Sequence, residues 1–403
     1  MDNKYIDLLK LFYKDQAEHQ HEYSERYNNK LVAFHFGLQI NGQEAFFMQL
    51  PQLFMSIDRI MQLNTNVQVS ISELPAKAIQ QFAERCLIDE VIMTNEIEGI
   101  RSTRRELHDV LVSQNENKKK KFSGILRMYN ILNSSEMISI NSCDDIRTIY
   151  DRLLFAEIEA EDKSKLPDGK WFRKEGVDVI AETQKTIHHG LAPEKRIIEM
   201  MDKSLQILND ESIHILFRAS LFHYLLGYIH PFYDGNGRMS RFISSYLLNQ
   251  NLNKLIGYRL SYTINQYRKD YYDGFKICNH ILNKGDLTPF VLMFIGIIEK
   301  SMVQLNHALN IRVNDYNSLQ ADIRNLPLGN DRNFYSIYDL LIQAALFAEH
   351  GISTLEMLAF LDITRQTLSQ RLKKIKGTGL LKEQKIGKHV YYALDSQKMN
   401  KTK

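Results

Sequence analysis

Residues 230–241 read H-P-F-Y-D-G-N-G-R-M-S-R and gather most of the groups in this chain that could do chemistry together. His230 is a proton acceptor usable near neutral pH. Asp234 offers the hard oxygen that Mg²⁺ takes alongside substrate phosphates. Gly235, Asn236 and Gly237 let the backbone approach phosphate closely, so that their N–H groups form an anion nest. Arg238 and Arg241 lie three apart, share a helix face and add forked donors for phosphate oxygens. Together these groups describe a site for a nucleoside triphosphate and Mg²⁺, with a general base beside it. The competing reading is a plain glycine turn between two helices, with Asp234 as a cap and both arginines at the surface. D-G-N-G alone favours that reading; base, carboxylate, glycines and paired arginines in one stretch do not.

The flanking patterns say what must position these groups. Residues 213–229 are apolar on nearly every face (Leu216, Phe217, Leu221, Phe222, Leu225, Leu226, Ile229), which predicts a helix buried in a core. Pro231 forbids its continuation. Met239, Phe242, Ile243, Tyr246 and Leu247 then repeat at helical spacing. The loop therefore joins a buried helix to the N-terminus of a second one, where unpaired N–H groups and a partial positive charge favour anions.

At this point the chain resembles a known family. The stretch is similar to the Fic (AMP-transferase) signature H-x-F-x-D/E-G-N-G-R-x-x-R and matches it at every defined position. The resemblance implies a helical core, Mg²⁺ and ATP, and transfer of AMP to a Tyr, Thr or Ser hydroxyl of a protein substrate, which could include the chain itself. It makes His230 the base and Asp234 the metal ligand. It assigns Gly235, Asn236 and Gly237 to the phosphates, and Arg238 and Arg241 to the outer phosphates. Phosphate-transferring relatives carry Lys at the position of Gly237, so this chain departs from that branch. Removal of AMP by the same residues stays open as an alternative. So does a DNA-binding regulator that uses the core as a sensor.

A second stretch gains meaning from the first. Thr94, Glu98 and Gly99 fill the inhibitory motif S/T-x-x-x-E-G/N of many Fic proteins. The resemblance implies that Glu98 pairs with Arg241 and takes the space an outer phosphate needs; a carboxylate is the natural competitor for phosphate at an arginine. The resemblance also implies a flap that aims the target hydroxyl, here two β-like pieces, Val177, Asp178, Val179 and Ile180, then Thr186, Ile187, His188 and His189, joined by residues 181–185. A free strand edge suits such docking. Tyr271 and Tyr272 are candidates for the adenine pocket, although aromatics at helical spacing also belong to cores.

The rest of the chain supplies context. Its 403 residues exceed one average domain, and a net charge of +3 is too small to make nucleic-acid binding a property of the whole. Three scattered cysteines read as reduced core thiols in a cytoplasmic protein. The segment M-D-N-K-Y-I-D does not read as a signal peptide, and no apolar run of membrane-spanning length stands out, so no membrane partner is expected. We expect a mainly α fold in three parts. Residues 1–74 form a segment with a hairpin turning at Asn41-Gly42. Residues 75–325 form the catalytic core, and 331–395 a winged helix-turn-helix. In the last part, residues 365–388 carry eight basic side chains against one acid, which suits DNA phosphates. Arg365, Gln366, Thr367, Ser369 and Gln370 would face the groove. A long helix after Pro289 could pack between protomers of a homodimer.

Overall fold

The computed structural model describes residues 5–112, 121–132, 134, 136–180, 186–386 and 389–399. They are mainly α-helical with three small antiparallel sheets. Two compact units emerge, one from Met1–Leu63 and Ile88–Val303, the other from Asn64–Leu87 and Gln304–Lys403.

The core of the first unit is the helix Ile215–Ile229, whose side chains are buried on almost every face. Glu194–Asn209 and Asn236–Asn251 pack against it. The predicted hairpin pairs Ala33–Ile40 with Gln43–Met48, turning through Asn41 and Gly42 at φ 50° and 79°, as an Asn-Gly turn requires. Phe46 bridges to Asp286, whose buried carboxylate accepts from the Tyr5 hydroxyl at 2.6 Å and lies 3.5 Å from Arg26. That cluster ties the N-terminal segment to this unit.

Residues 143–158 read as one amphipathic helix, and the structure differs there. A capping box of Ser142 and Asp145 starts a helix at Cys143, which ends at Tyr150. A π-helical turn, Asp151–Phe155, follows, and α-geometry resumes over Ala156–Glu161. Such turns re-aim the residues after them and recur at functional sites; here Glu157 is the residue that gains from it, as shown below.

The helix Thr288–Asp322 opens with Phe290, Val291, Phe294, Ile295 and Ile298 in the core of the first unit. Over Thr288–Asn325 its best window has a mean hydropathy of 1.4, enough in length and composition to cross a bilayer, and 56% of that window is buried within the protein. In the sequence the apolar residues of this helix are interrupted by Lys300, Gln304 and Asn306, so no continuous apolar run stands out.

In the second unit, Arg332–Phe347, Thr354–Leu358 and Arg365–Gly377 accompany a sheet ordered Ile352–Ser353, His389–Leu394, Leu381–Ile386. Thr364 caps Arg365–Gly377, which buries Leu368, Leu372 and Ile375 and exposes Arg365, Gln366, Ser369, Gln370, Lys373 and Lys374. The turn at Gly387 lies outside the described residues.

Candidate active site

The core helix ends at His230, which takes the left-handed conformation (φ 52°, ψ 61°) and donates its N–H to Leu226. An L-residue pays roughly 1–2 kcal/mol for that conformation. Arg173 holds it: Nε donates to the His230 carbonyl at 2.9 Å, and its backbone N–H donates to Pro231 at 3.1 Å. Burial pushes the His230 imidazole down to about 4, and the Arg173 cation adds to the effect, opposed by a hydrogen bond with Gly227 and by Glu98. The ring is therefore neutral, in its proton-accepting form, at physiological pH. The expected result of an NMR titration of the imidazole C–H signal is a midpoint near pH 4 rather than 6.5. Arg173→Gln removes a neighbouring positive charge, which favours the protonated form, so the midpoint should rise.

Phe232 anchors the loop from beneath. It is fully buried, stacks on Tyr150 with centroids 3.8 Å apart, and meets Phe172 edge-on at 5.6 Å. Phe232→Ala should cost about 3–5 kcal/mol of stability, measured by thermal denaturation. The Asn236 side chain is committed to the same residue: Oδ1 accepts from Phe232 N–H at 2.9 Å and Nδ2 donates to its carbonyl at 2.8 Å. Asn236 thus shapes the loop, and what it can offer a phosphate is its backbone N–H.

Gly235, at φ 85°, is the residue before the helix Asn236–Asn251, and no side chain caps that helix. Asp234 is not the cap that the plain-turn reading requires, so the first-turn N–H groups remain available to an anion. A Cβ on Gly235 would meet both the left-handed conformation and the Leu154 side chain. Asp234 has a side chain 32% exposed, 3.4 Å from Lys165 Nζ and 3.7 Å from Arg238 Nη2.

Neither arginine lies at the surface; each side chain is 1% exposed. Arg238 Nη1 meets Glu157 at 2.5 Å. Arg241 donates from Nε to the Thr94 hydroxyl at 2.8 Å and from Nη2 to the Thr94 carbonyl at 2.9 Å and to Glu98 at 2.8 Å. Burial alone would lower the Arg241 pKa; Glu98, together with Tyr271 and Tyr272, offsets this and holds it above the usual value. Glu98 stands at the end of the helix Ala76–Ile97, just before Gly99 at φ 73°. Its Oε1 lies where a Cβ on Gly237 would go. A carboxylate therefore rests on the glycine of the anion nest and holds the arginine behind it.

Residues 141–248, which contain this loop and the core helix, match the Fic/DOC family. The chain carries a Fic/DOC family domain. Over 106 residues it is 34% identical to protein adenylyltransferase Fic of Drosophila ananassae and 37% identical to that of Drosophila grimshawi, in each case covering 26% of this chain and 20% of the relative. The match thus spans about a fifth of the length of those relatives. Among solved structures, a Fic family protein from Desulfovibrio desulfuricans G20 aligns with a TM-score of 0.48 at 19% identity, over 83% of this chain and 95% of that one.

Around the Fic loop, the remaining predicted residues fall into two groups. Strands Asp178–Ile180 and Thr186–His189 pair antiparallel, with Asp178 opposite His189 and Val179 opposite His188, and residues 181–185 lie outside the described residues. His189 bonds Asp178 across the pair at 2.6 Å. His188 stacks on Tyr228 and bonds its carbonyl at 2.7 Å, which fastens the hairpin to the end of the core helix. Val177 accepts from Gly190 N–H at the hairpin base. The two tyrosines separate. Tyr271 is buried with its hydroxyl 2.8 Å from His223 Nε2, while His223 Nδ1 meets Ser244. Tyr272 is 36% exposed, with the Arg268 guanidinium 5.9 Å from its ring centroid.

Four residues of the Fic site were not picked out in the sequence: Glu157, Arg173, Lys165 and Glu90. Glu90 sits one turn before Thr94, fully buried, and accepts from the N–H of Ser261 with both oxygens at 2.8–2.9 Å. Burial pushes its pKa up, opposed by those hydrogen bonds and by Arg241. A carboxylate on an otherwise apolar helix face must be paired, and that rule was the available signal for Glu90 and Glu157.

Proposed function

We propose that the chain transfers AMP from ATP to a Tyr, Thr or Ser hydroxyl of a protein substrate, and that Glu98 restrains the reaction. The observation that carries the reading is one continuous loop that combines a neutral imidazole, an uncapped helix N-terminus and two buried arginines. The name protein adenylyltransferase, borne by the Drosophila relatives over the matched segment, supports it.

In this reading His230 takes the proton of the target hydroxyl. The freed oxygen bonds the α-phosphorus, and the bond from that phosphorus to pyrophosphate breaks. The loop N–H groups, Arg238 and Arg241 stabilise negative charge on the phosphates through fixed electrostatics. The Asp178–Ile180 and Thr186–His189 hairpin holds the target backbone by strand addition, and Tyr272 offers its ring to the adenine.

Asp234 fits a Mg²⁺ role. Its carboxylate is partly exposed, accepts only one long hydrogen bond, from Lys165 Nζ at 3.4 Å, and lies 3.7 Å from Arg238 Nη2, and no cluster of three or more His, Cys, Asp or Glu competes for the ion among the described residues. One carboxylate plus substrate phosphates is the way Mg²⁺ is usually held. A bound Mg²⁺ would neutralise phosphate charge there.

The test is to incubate cell extract with the purified protein, ATP and Mg²⁺ and to map new adducts by mass spectrometry. AMP on hydroxyl side chains is the expected result; phosphate instead of AMP contradicts the proposal.

For the second unit we propose DNA binding by a winged helix, with Arg365–Gly377 in the major groove. The favouring observation is the exposed face of Arg365, Gln366, Ser369, Gln370, Lys373 and Lys374 on a capped helix. Duplex DNA should bind with an affinity that falls as salt rises, and Lys373→Glu with Lys374→Glu should reduce the slope of log K against log salt by about 2. A fluorescence-anisotropy titration that shows no salt-dependent binding contradicts this.

A further inference from the structure

The two arginines of the loop are held in different ways. Arg241 is held by Thr94 and by Glu98, whose side chain is 31% exposed at a helix end. Arg238 is held by Glu157, whose side chain is only 7% exposed and which follows the π-helical turn Asp151–Phe155. Taking two charges out of water is costly, and the pair persists only because each partner satisfies the other. A phosphate that reaches the loop can displace the partly exposed Glu98 into solvent. Moving Glu157 away would leave its carboxylate buried without a cation.

The rest of the Arg238 fork is uncommitted. Nη1 is on Glu157, Nη2 is 3.7 Å from Asp234 of the loop, and Nε makes no hydrogen bond among the described residues. A buried arginine donor without a partner is costly and is satisfied by an anion that arrives at the site. Gly235 adds a second tie between these elements, because its Cα packs against Leu154 of the same π-helical turn.

We infer that Glu157 is a positioning residue: it stays paired with Arg238 in the nucleotide-bound protein and fixes the guanidinium so that Nε and Nη2 are the donors presented to the phosphates. This rests on the nucleotide reading above. Glu98 and Glu157 then have opposite tasks, one yielding its arginine to the nucleotide and the other keeping its arginine aimed.

The experiment uses the full chain carrying Glu98→Gly, to which Glu157→Gln, Arg238→Met or both are added. Calorimetry measures the Kd of a nonhydrolysable ATP analogue and of adenosine. Glu157→Gln keeps the shape and removes the charge, so the ATP analogue should bind about tenfold more weakly, the difference between a charged and a neutral hydrogen-bond partner, with adenosine unchanged. Once Arg238 is Met, Glu157→Gln should no longer weaken binding of the ATP analogue. Glu157→Asp restores the carboxylate and should recover part of the affinity. Equal weakening for ATP analogue and adenosine, or a weakening by Glu157→Gln that persists without Arg238, shows a role in folding alone and overturns the inference. ATP bound equally with and without Glu157→Gln overturns this inference and leaves the nucleotide reading standing. A Glu98→Gly chain that binds no ATP overturns both.

Discussion

Replacing His230 with alanine is expected to lower AMP transfer by about 10²- to 10⁴-fold, the usual contribution of a positioned general base, without weakening ATP binding. The two effects separate because the loop is held by the backbone of this residue and not by its ring. The His230 N–H bonds Leu226, and its carbonyl accepts from Arg173. Phe232 is gripped by Tyr150, Phe172 and Asn236. The anion nest should survive the substitution intact. Single-turnover labelling with ATP carrying a radioactive α-phosphate, alongside calorimetric binding of ATP, reads both quantities. A variant that labels protein at the wild-type rate removes His230 from the mechanism.

Glu98→Gly is expected to act in the opposite sense and raise AMP transfer by about 10- to 100-fold, the worth of one charge-assisted hydrogen bond. Glu98 makes a 2.8 Å bond to Arg241 and rests on Gly237, so it both neutralises the cation and fills the nest. Its removal leaves Arg241 oriented, because the Thr94 hydroxyl and carbonyl still hold two of its donors at 2.8 and 2.9 Å. The fully buried Glu90, one turn earlier on the same helix, still compensates part of its charge. Activation should therefore appear mainly as a lower KM for ATP. Arg241→Ala in the same background should cancel it.

What the sequence disclosed was what short-range chemistry encodes. The Asn41-Gly42 turn and the all-apolar core helix are each specified within a few residues. The loop at 230–241 was legible for the same reason. The pairing of Arg241 with Thr94 and Glu98 spans more than 140 positions and was reachable only through the resemblance. Glu157 had no such help. Residues 143–158 read as one continuous helix, and the π-helical turn inside it has no sequence signature as plain as a cap or a glycine. Arg173 was lost in a polar loop whose shape depends on Glu194, which accepts from the N–H groups of Lys170, Trp171 and Phe172 at 2.8–3.0 Å. Helical spacing marked Tyr271 as a core aromatic as readily as a pocket residue, and its hydroxyl meets His223 in the core.

The most direct test of the central claim is the position of the label that reaches protein. The Glu98→Gly chain is incubated with Mg²⁺ and ATP labelled at either the α- or the γ-phosphate. Transfer of AMP predicts protein labelled from the α-phosphate alone and lost with His230→Ala; label arriving from the γ-phosphate, or from neither, contradicts it.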